Sequence, residues 1–178
     1  MKKVLLTVFA ALMVFAASAQ FKGGVKAGAN LANLGGDVEG TDMLFGFHVG
    51  LYGQFGLSDA LSLQPEVLYY GAGAKVGDDD YKLSYLAIPV MFKYQLGDMF
   101  NVQAGPQLGL LLSTDPSELK DGLKGTDFGL NLGLGATFSK FSVDARYSLG
   151  LSNINDADDG DIKNNVIQIS LGYQLFGE

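Results

Sequence analysis

From Phe21 onward the apolar residues of this chain recur at every second position. The stretch LFGFHVGLYGQFGL puts Phe45, Phe47, Val49, Leu51, Phe55 and Leu57 on one face and Gly46, His48, Gly50, Tyr52, Gln54 and Gly56 on the other. A helix would scatter both sets around its circumference, whereas a strand separates them. Stretches of this kind predict eight strands, over 21–34, 44–57, 60–72, 82–96, 100–113, 127–139, 141–152 and 164–176. The chain ends on the last of them, NVIQISLGYQLFGE, where Ile167, Ile169, Leu171, Tyr173 and Leu175 alternate with Gln168, Ser170, Gly172 and Gln174.

The connections alternate in length. GGDVEGTDM, GAKVGDDDY, STDPSELKDGLKGT and SNINDADDGDIKN are long, whereas the turns near Ser58-Asp59, Gly97-Asp98-Met99 and Ser139-Lys140 are short. That rhythm predicts an up-and-down antiparallel meander whose two ends face different surroundings. An even strand count with short turns at one end describes an all-β, eight-stranded transmembrane β-barrel, and about 10 residues per tilted strand fits the available length. The final strand then pairs with the first, so that no edge is left open.

Charge decides which face is greasy. The connections 35–43, 72–82, 113–127 and 152–165 hold 14 of the 19 acidic residues and five basic ones. The walls are nearly free of ions, and their polar faces carry Gly, Ser, Gln and Asn. A water-facing exterior would be about 25–35% charged, and a charge on a lipid face costs about 2–4 kcal/mol at the midplane. The pattern therefore predicts lipid outside and a polar lumen inside. The alternative is a soluble, lipocalin-like binding barrel with its apolar rows hidden.

The predicted lumen holds Lys26, Glu66, Lys93, Asp144 and Arg146, with His48, Tyr52, Gln54, Gln64, Gln103, Gln107 and Asn131. A barrel this narrow is filled by side chains, and buried charges must pair. A plugged barrel is therefore expected, with a narrow diffusion channel as the alternative. Phe55, Tyr94, Phe100, Phe138, Phe141 and Phe176 near one end, and Tyr69, Tyr70 and Tyr81 near the other, read as interfacial girdles. Pro65, Pro89 and Pro106 fall inside predicted strands, where each removes a ladder hydrogen bond. Bulges at these prolines are expected to absorb the loss.

The N-terminus, MKKVLLTVFAALMVFAASAQF, has a basic start, an apolar core from Val4 to Ala17 and a small-residue Ala17-Ser18-Ala19 site. It reads as a cleaved signal peptide over 1–19, leaving a barrel domain over 20–178. That core is shorter than the roughly 20 residues of a membrane helix. Export by the general secretory route to a Gram-negative outer membrane follows. The chain has no cysteine, so disulfides and thiolate metal sites are excluded. Its acidic balance gives no electrostatic basis for binding nucleic acid.

Chemical motifs are sparse. GLNLGLGATF carries glycines but keeps period two and no helix follows, unlike a nucleotide loop. DADDGD lacks the calcium-loop spacing, since Gly160 is fifth from Asp156, not sixth. A loose divalent cation or a protein partner at the acidic loops stays open. His48, the sole histidine, sits mid-strand with no legible nucleophile and orienter. No catalytic residue, metal ligand or cofactor is assigned, and a lipid-modifying enzyme is the weaker alternative.

Ser170, Gly172, Tyr173 and Leu175, followed by Phe176, resemble the C-terminal signal by which the outer-membrane assembly machinery takes up barrels. YLAIPVMFKYQLG, QAGPQLGLLL and DARYSLGLSNI are similar to segments of the PorT-like outer-membrane β-barrel family, the "porin family". The resemblance spans nearly the whole mature chain. It implies an eight-stranded barrel of the OmpA/OmpX-like size class, embedded in outer-membrane lipid.

Overall fold

The computed structural model describes residues 21–36, 40–77, 79–117, 122–156 and 160–177. The expected signal peptide lies outside them, as do the acidic residues Asp37, Glu39, Asp78, Glu118, Asp121, Asp158 and Asp159. Nine strands follow one another: β1 (Phe21–Gly36), β2 (Thr41–Asp42), β3 (Leu44–Gly56), β4 (Leu61–Val76), β5 (Asp79–Leu96), β6 (Phe100–Asp115), β7 (Thr126–Phe138), β8 (Phe141–Gly150) and β9 (Ile162–Phe176). The eight long strands pair antiparallel in a closed ring, with β9 on β1 and β4 on β5. β2 is a short addition on the end of β4.

The sorting of side chains is inside-out relative to a soluble barrel. Phe45, Phe47, Val49 and Leu51 of β3 stand 47–69% exposed, while His48 between them is 1% exposed. β8 and β9 alternate in the same way, with Asp144, Arg146, Gln168 and Ser170 buried and Val143, Tyr147, Ile167 and Ile169 on the outside. A nearly continuous apolar exterior needs hydrocarbon around it. Among the described residues no helix is long and apolar enough to cross a membrane; here strands would do so.

Four expectations change. The stretch 72–82 is not a loop, because β4 and β5 run on as a hairpin, with Gly73 opposite Lys82 and Val76 opposite Asp79. Gly77, at φ +62°, makes the turn in a conformation that side chains resist. The prolines cause no bulges. Register continues unbroken past Pro65, Pro89 and Pro106. The shifts fall instead at Ser84/Tyr85, where Leu112 is the extra residue of β6, and at Gly23/Gly24, where Leu175 is the extra residue of β9. Each extra residue reverses the pleat beyond it. Leu175 thereby leaves Phe176 outside, 53% exposed and ring to ring with Phe21 at 5.6 Å.

Third, Tyr70 does not belong to a girdle. It points inward, 2% exposed, with Tyr85 edge-on at 6.5 Å. Phe55 is outward but largely covered by Phe21, 4.8 Å away. Fourth, the lumen is not polar throughout. Toward the long loops it carries an apolar cluster of Ala32, Leu68, Tyr70, Ala72, Leu83, Tyr85, Ala87 and Val166 beside the buried polar residues Ser148 and Asn164. These walls are rich in alanine, and the room is taken by Ile154, fully buried, from the β8–β9 connection. That connection is bonded to the β6–β7 connection: Lys124 N donates to Ile154 O at 2.8 Å, Asp156 N to Gly122 O at 3.0 Å, and Leu123 bridges Asn155.

Candidate functional site

Period-two alternation delivers one set of side chains per strand to the axis, and the ring brings distant strands face to face. Lys26 on β1, Glu66 on β4, Lys93 on β5 and both Asp144 and Arg146 on β8 meet in the half of the lumen nearer the short turns. Glu66 is the hub. Arg146 grips it as a fork, Nη1 to Oε2 at 2.9 Å and Nη2 to Oε1 at 2.6 Å. Lys26 Nζ donates to Oε1 at 3.0 Å and Gln64 Nε2 to the same oxygen at 2.6 Å. Asp144 is the second anion. Gln103 Nε2 donates to its Oδ1 at 2.7 Å, and Lys26 Nζ stands 3.0 Å from its Oδ2. Arg146 Nε is bonded to Gln103 Oε1 at 2.9 Å. Lys93 lies at the edge, 3.3 Å from Gln64 Oε1 and 3.7 Å from Asp144 Oδ1.

Paired, hydrogen-bonded charges of this kind are tolerable in a low-dielectric interior, and single ones are not. The bidentate fork also fixes both side chains in place. The lumen is thereby crossed by charged side chains from strands far apart in the ring.

A second chain runs beside it. Asn30 Nδ2 donates to Gly71 O at 2.8 Å and lies 3.3 Å from Phe47 O, so its Oδ1 faces His48 Nδ1 at 2.7 Å. Nδ1 must then carry the proton, and His48 Nε2 accepts from Ser170 Oγ at 2.8 Å. The order Ser, His, Asn is that of a nucleophile, base and orienter, a set the sequence did not make legible. All three residues are 2% exposed or less, so the hydroxyl is spent on the ring and no surface reaches it. The arrangement locks strands together across the β9–β1–β3 seam.

Of the remaining residues placed in the lumen from sequence, Gln107 and Asn131 bond to each other at 3.0 Å, and Gln54 donates to Ser62 Oγ at 3.0 Å. Asn101, Ser148, Asn164 and Gln168 are buried polar residues that sequence reasoning missed. Asp127, read as a loop acid, takes Ser152 Oγ at 3.0 Å and Asn164 Nδ2 at 2.9 Å as β7 begins. Of the C-terminal motif, Ser170 and Gly172 face the lumen, whereas Tyr173, Leu175 and Phe176 face outward. Among the described residues no three histidine or acidic side chains converge as a metal set.

At the short-turn end the lumen opens into a polar cavity of about 420 Å³, lined in part by Lys22, Gln54, Ser62, Gln95, Thr137 and Gln174.

The family model described as "Outer membrane protein beta-barrel domain" matches residues 4–174. No curated protein sequence matches the chain. Among solved structures, Ail, the attachment invasion locus protein of Yersinia pestis, is 13% identical with a TM-score of 0.55, covering 88% of this chain and 99% of that one. Ail in complex with the heparin analogue sucrose octasulfate gives 14% and 0.52 over 88% and 99%. Neisserial surface protein A gives 14% and 0.57 over 85% and 96%. At these identities the likeness is one of fold.

Proposed function

The chain belongs to the outer membrane protein β-barrel domain family and is an integral protein of the Gram-negative outer membrane; from that premise we propose that it works as a sealed, non-enzymatic barrel presenting an acidic outer face. The observation that carries this reading is the Lys26–Glu66–Arg146–Asp144 cluster, which fills the axis with mutually compensated charge. The burial of Ser170, His48 and Asn30 supports a non-enzymatic role, because a substrate has no approach to the hydroxyl. The PorT-like branch is the finer reading, supported by motif segments on β5, on β6 and across β8 into the loop after it.

Single-channel recording in planar bilayers tests the seal. Silence is expected from the wild type, and Arg146→Ala should open a measurable leak by freeing Glu66. A steady wild-type conductance would refute the sealed barrel and favour the diffusion channel.

The outer loops contribute envelope integrity or bind a partner, and their charge selects its chemistry. Together with the outer end of the β4–β5 hairpin they carry 13 acids against five bases once the inward-bonded Asp127 is set aside, and they suit a basic protein surface or a divalent cation and repel a polyanion. Ail has been solved with a heparin analogue; this chain should not be retained on immobilised heparin at low salt. Retention there would contradict the proposed polarity of the face. The outward aromatic end of β9 is proposed to serve the assembly machinery, so deleting Phe176 should lower the folded yield in cells.

A further inference from the structure

The outer wall of the barrel is not even. Across β5, β6 and β7, Phe92 stands opposite Ala104 and Ala104 opposite Leu132; one step nearer the short turns, Tyr94, Val102 and Leu134 repeat the row. Phe92, Tyr94, Leu132 and Leu134 are 48–63% exposed. Between these taller side chains Ala104 offers one methyl group. The result is a furrow along β6 with a volume of about 560 Å³, within the roughly 300–1,000 Å³ of small-ligand pockets. Among the described residues its lining holds no acid or base. Gln103, the polar residue on its wall, turns its side chain inward to Asp144.

Position narrows the occupant. Val102 and Ala104 follow closely on Phe100, where β6 leaves its short turn. Short turns of outer-membrane barrels are periplasmic, so the furrow lies in the hydrocarbon of the inner leaflet, just inside the interface. Tyr94, near the end of β5, stands on its rim at headgroup level. Among the described residues its hydroxyl makes no hydrogen bond, and a tyrosine at the interface keeps its polar tip for a headgroup partner. A second barrel presents a convex wall, which does not reach the floor of a groove one residue wide. An alkyl chain does. Moving that chain from bulk lipid gains no hydrophobic free energy, so its retention comes from packing against three walls and from the hydroxyl.

We propose that this furrow binds one acyl chain of an inner-leaflet phospholipid, with the Tyr94 hydroxyl donating to an ester or phosphate oxygen of the same molecule. The site rests on the membrane setting and not on the sealed lumen.

The protein is folded into vesicles containing palmitoyl-oleoyl phosphatidylethanolamine, released into mild detergent and weighed by native mass spectrometry. One retained phospholipid per barrel is expected. Ala104→Phe fills the furrow and should cut the retained fraction about tenfold. Tyr94→Phe, which removes only the hydroxyl, should cut it by about threefold. Ala27→Phe, outward on the far side of the ring, should leave it unchanged. A second measurement needs no variant: in nanodiscs of chain-deuterated lipid carrying the protonated phospholipid, the Ala104 methyl should show stronger cross-relaxation with the acyl chain than the Ala27 methyl. No retained lipid, retention unmoved by Ala104→Phe or Tyr94→Phe, equal loss in Ala27→Phe, equal cross-relaxation at the two methyls, or a dimer that Ala104→Phe dissociates would each overturn the proposal. Steady conductance would refute the sealed barrel and leave all of these readings unchanged.

Discussion

Glu66 accepts from three side chains and is buried, 1% exposed. Glu66→Gln removes the charge that Arg146 and Lys26 share while nearly preserving shape. Removing one partner of a buried pair costs about 3–5 kcal/mol, and urea unfolding in micelles should show a loss of that order. Replacing Glu66 and Arg146 together with Met should recover part of it, since no lone charge remains. Gly28 is a different kind of residue. A β-carbon there would strike the Ile169 carbonyl across the seam and the His48 ring. Gly28→Ala should therefore destabilise by about 1–3 kcal/mol through overpacking. The His48 imidazole resonances should move as well, because the ring is what must yield.

Among the elements, the β8–β9 connection behaves as part of the core. Ile154→Ala empties a fully buried site and should cost about 2–5 kcal/mol, with faster proteolysis near Lys124, whose amide is held by the Ile154 carbonyl. The loop sequence SNINDADDGDIKN gives no such hint, since an isoleucine among Asn and Asp reads as solvent-facing. The strands themselves were legible, because two-residue alternation is read locally. So was the inward set from Lys26 to Arg146. The β4–β5 hairpin was missed because Gly and Asp are turn formers in composition, while the cross-strand partners that hold them are only visible once paired. Leu112 and Leu175 as extra residues could not be foreseen, for a bulge depends on the neighbouring strand. Asn30, His48 and Ser170 are separated by 18 and 122 positions; only closure of the ring brings them together, so no motif announced them.

For the molecule as a whole, the apolar belt should make the cost of a charge depend on depth. Leu132 lies midway along β7, 50% exposed, and Phe138 at its short-turn end is 49% exposed. Leu132→Arg should cost about 2–4 kcal/mol and Phe138→Arg about 0–1 kcal/mol, measured by denaturant unfolding from lipid vesicles. Equal costs would mean that hydrocarbon does not surround the belt as the side-chain sorting requires.

The charge cluster draws its members from the first, middle and late strands. Lys26 on β1 meets Glu66 on β4 and Asp144 on β8, so a barrel with only its early hairpins in place carries cations and an acid that cannot all find partners. A half-built sheet is thus penalised until the last hairpin docks, and the same side chains that obstruct the axis make assembly all-or-none. Incomplete barrels would be short-lived in the membrane, and strand deletions should yield degradation products instead of smaller rings.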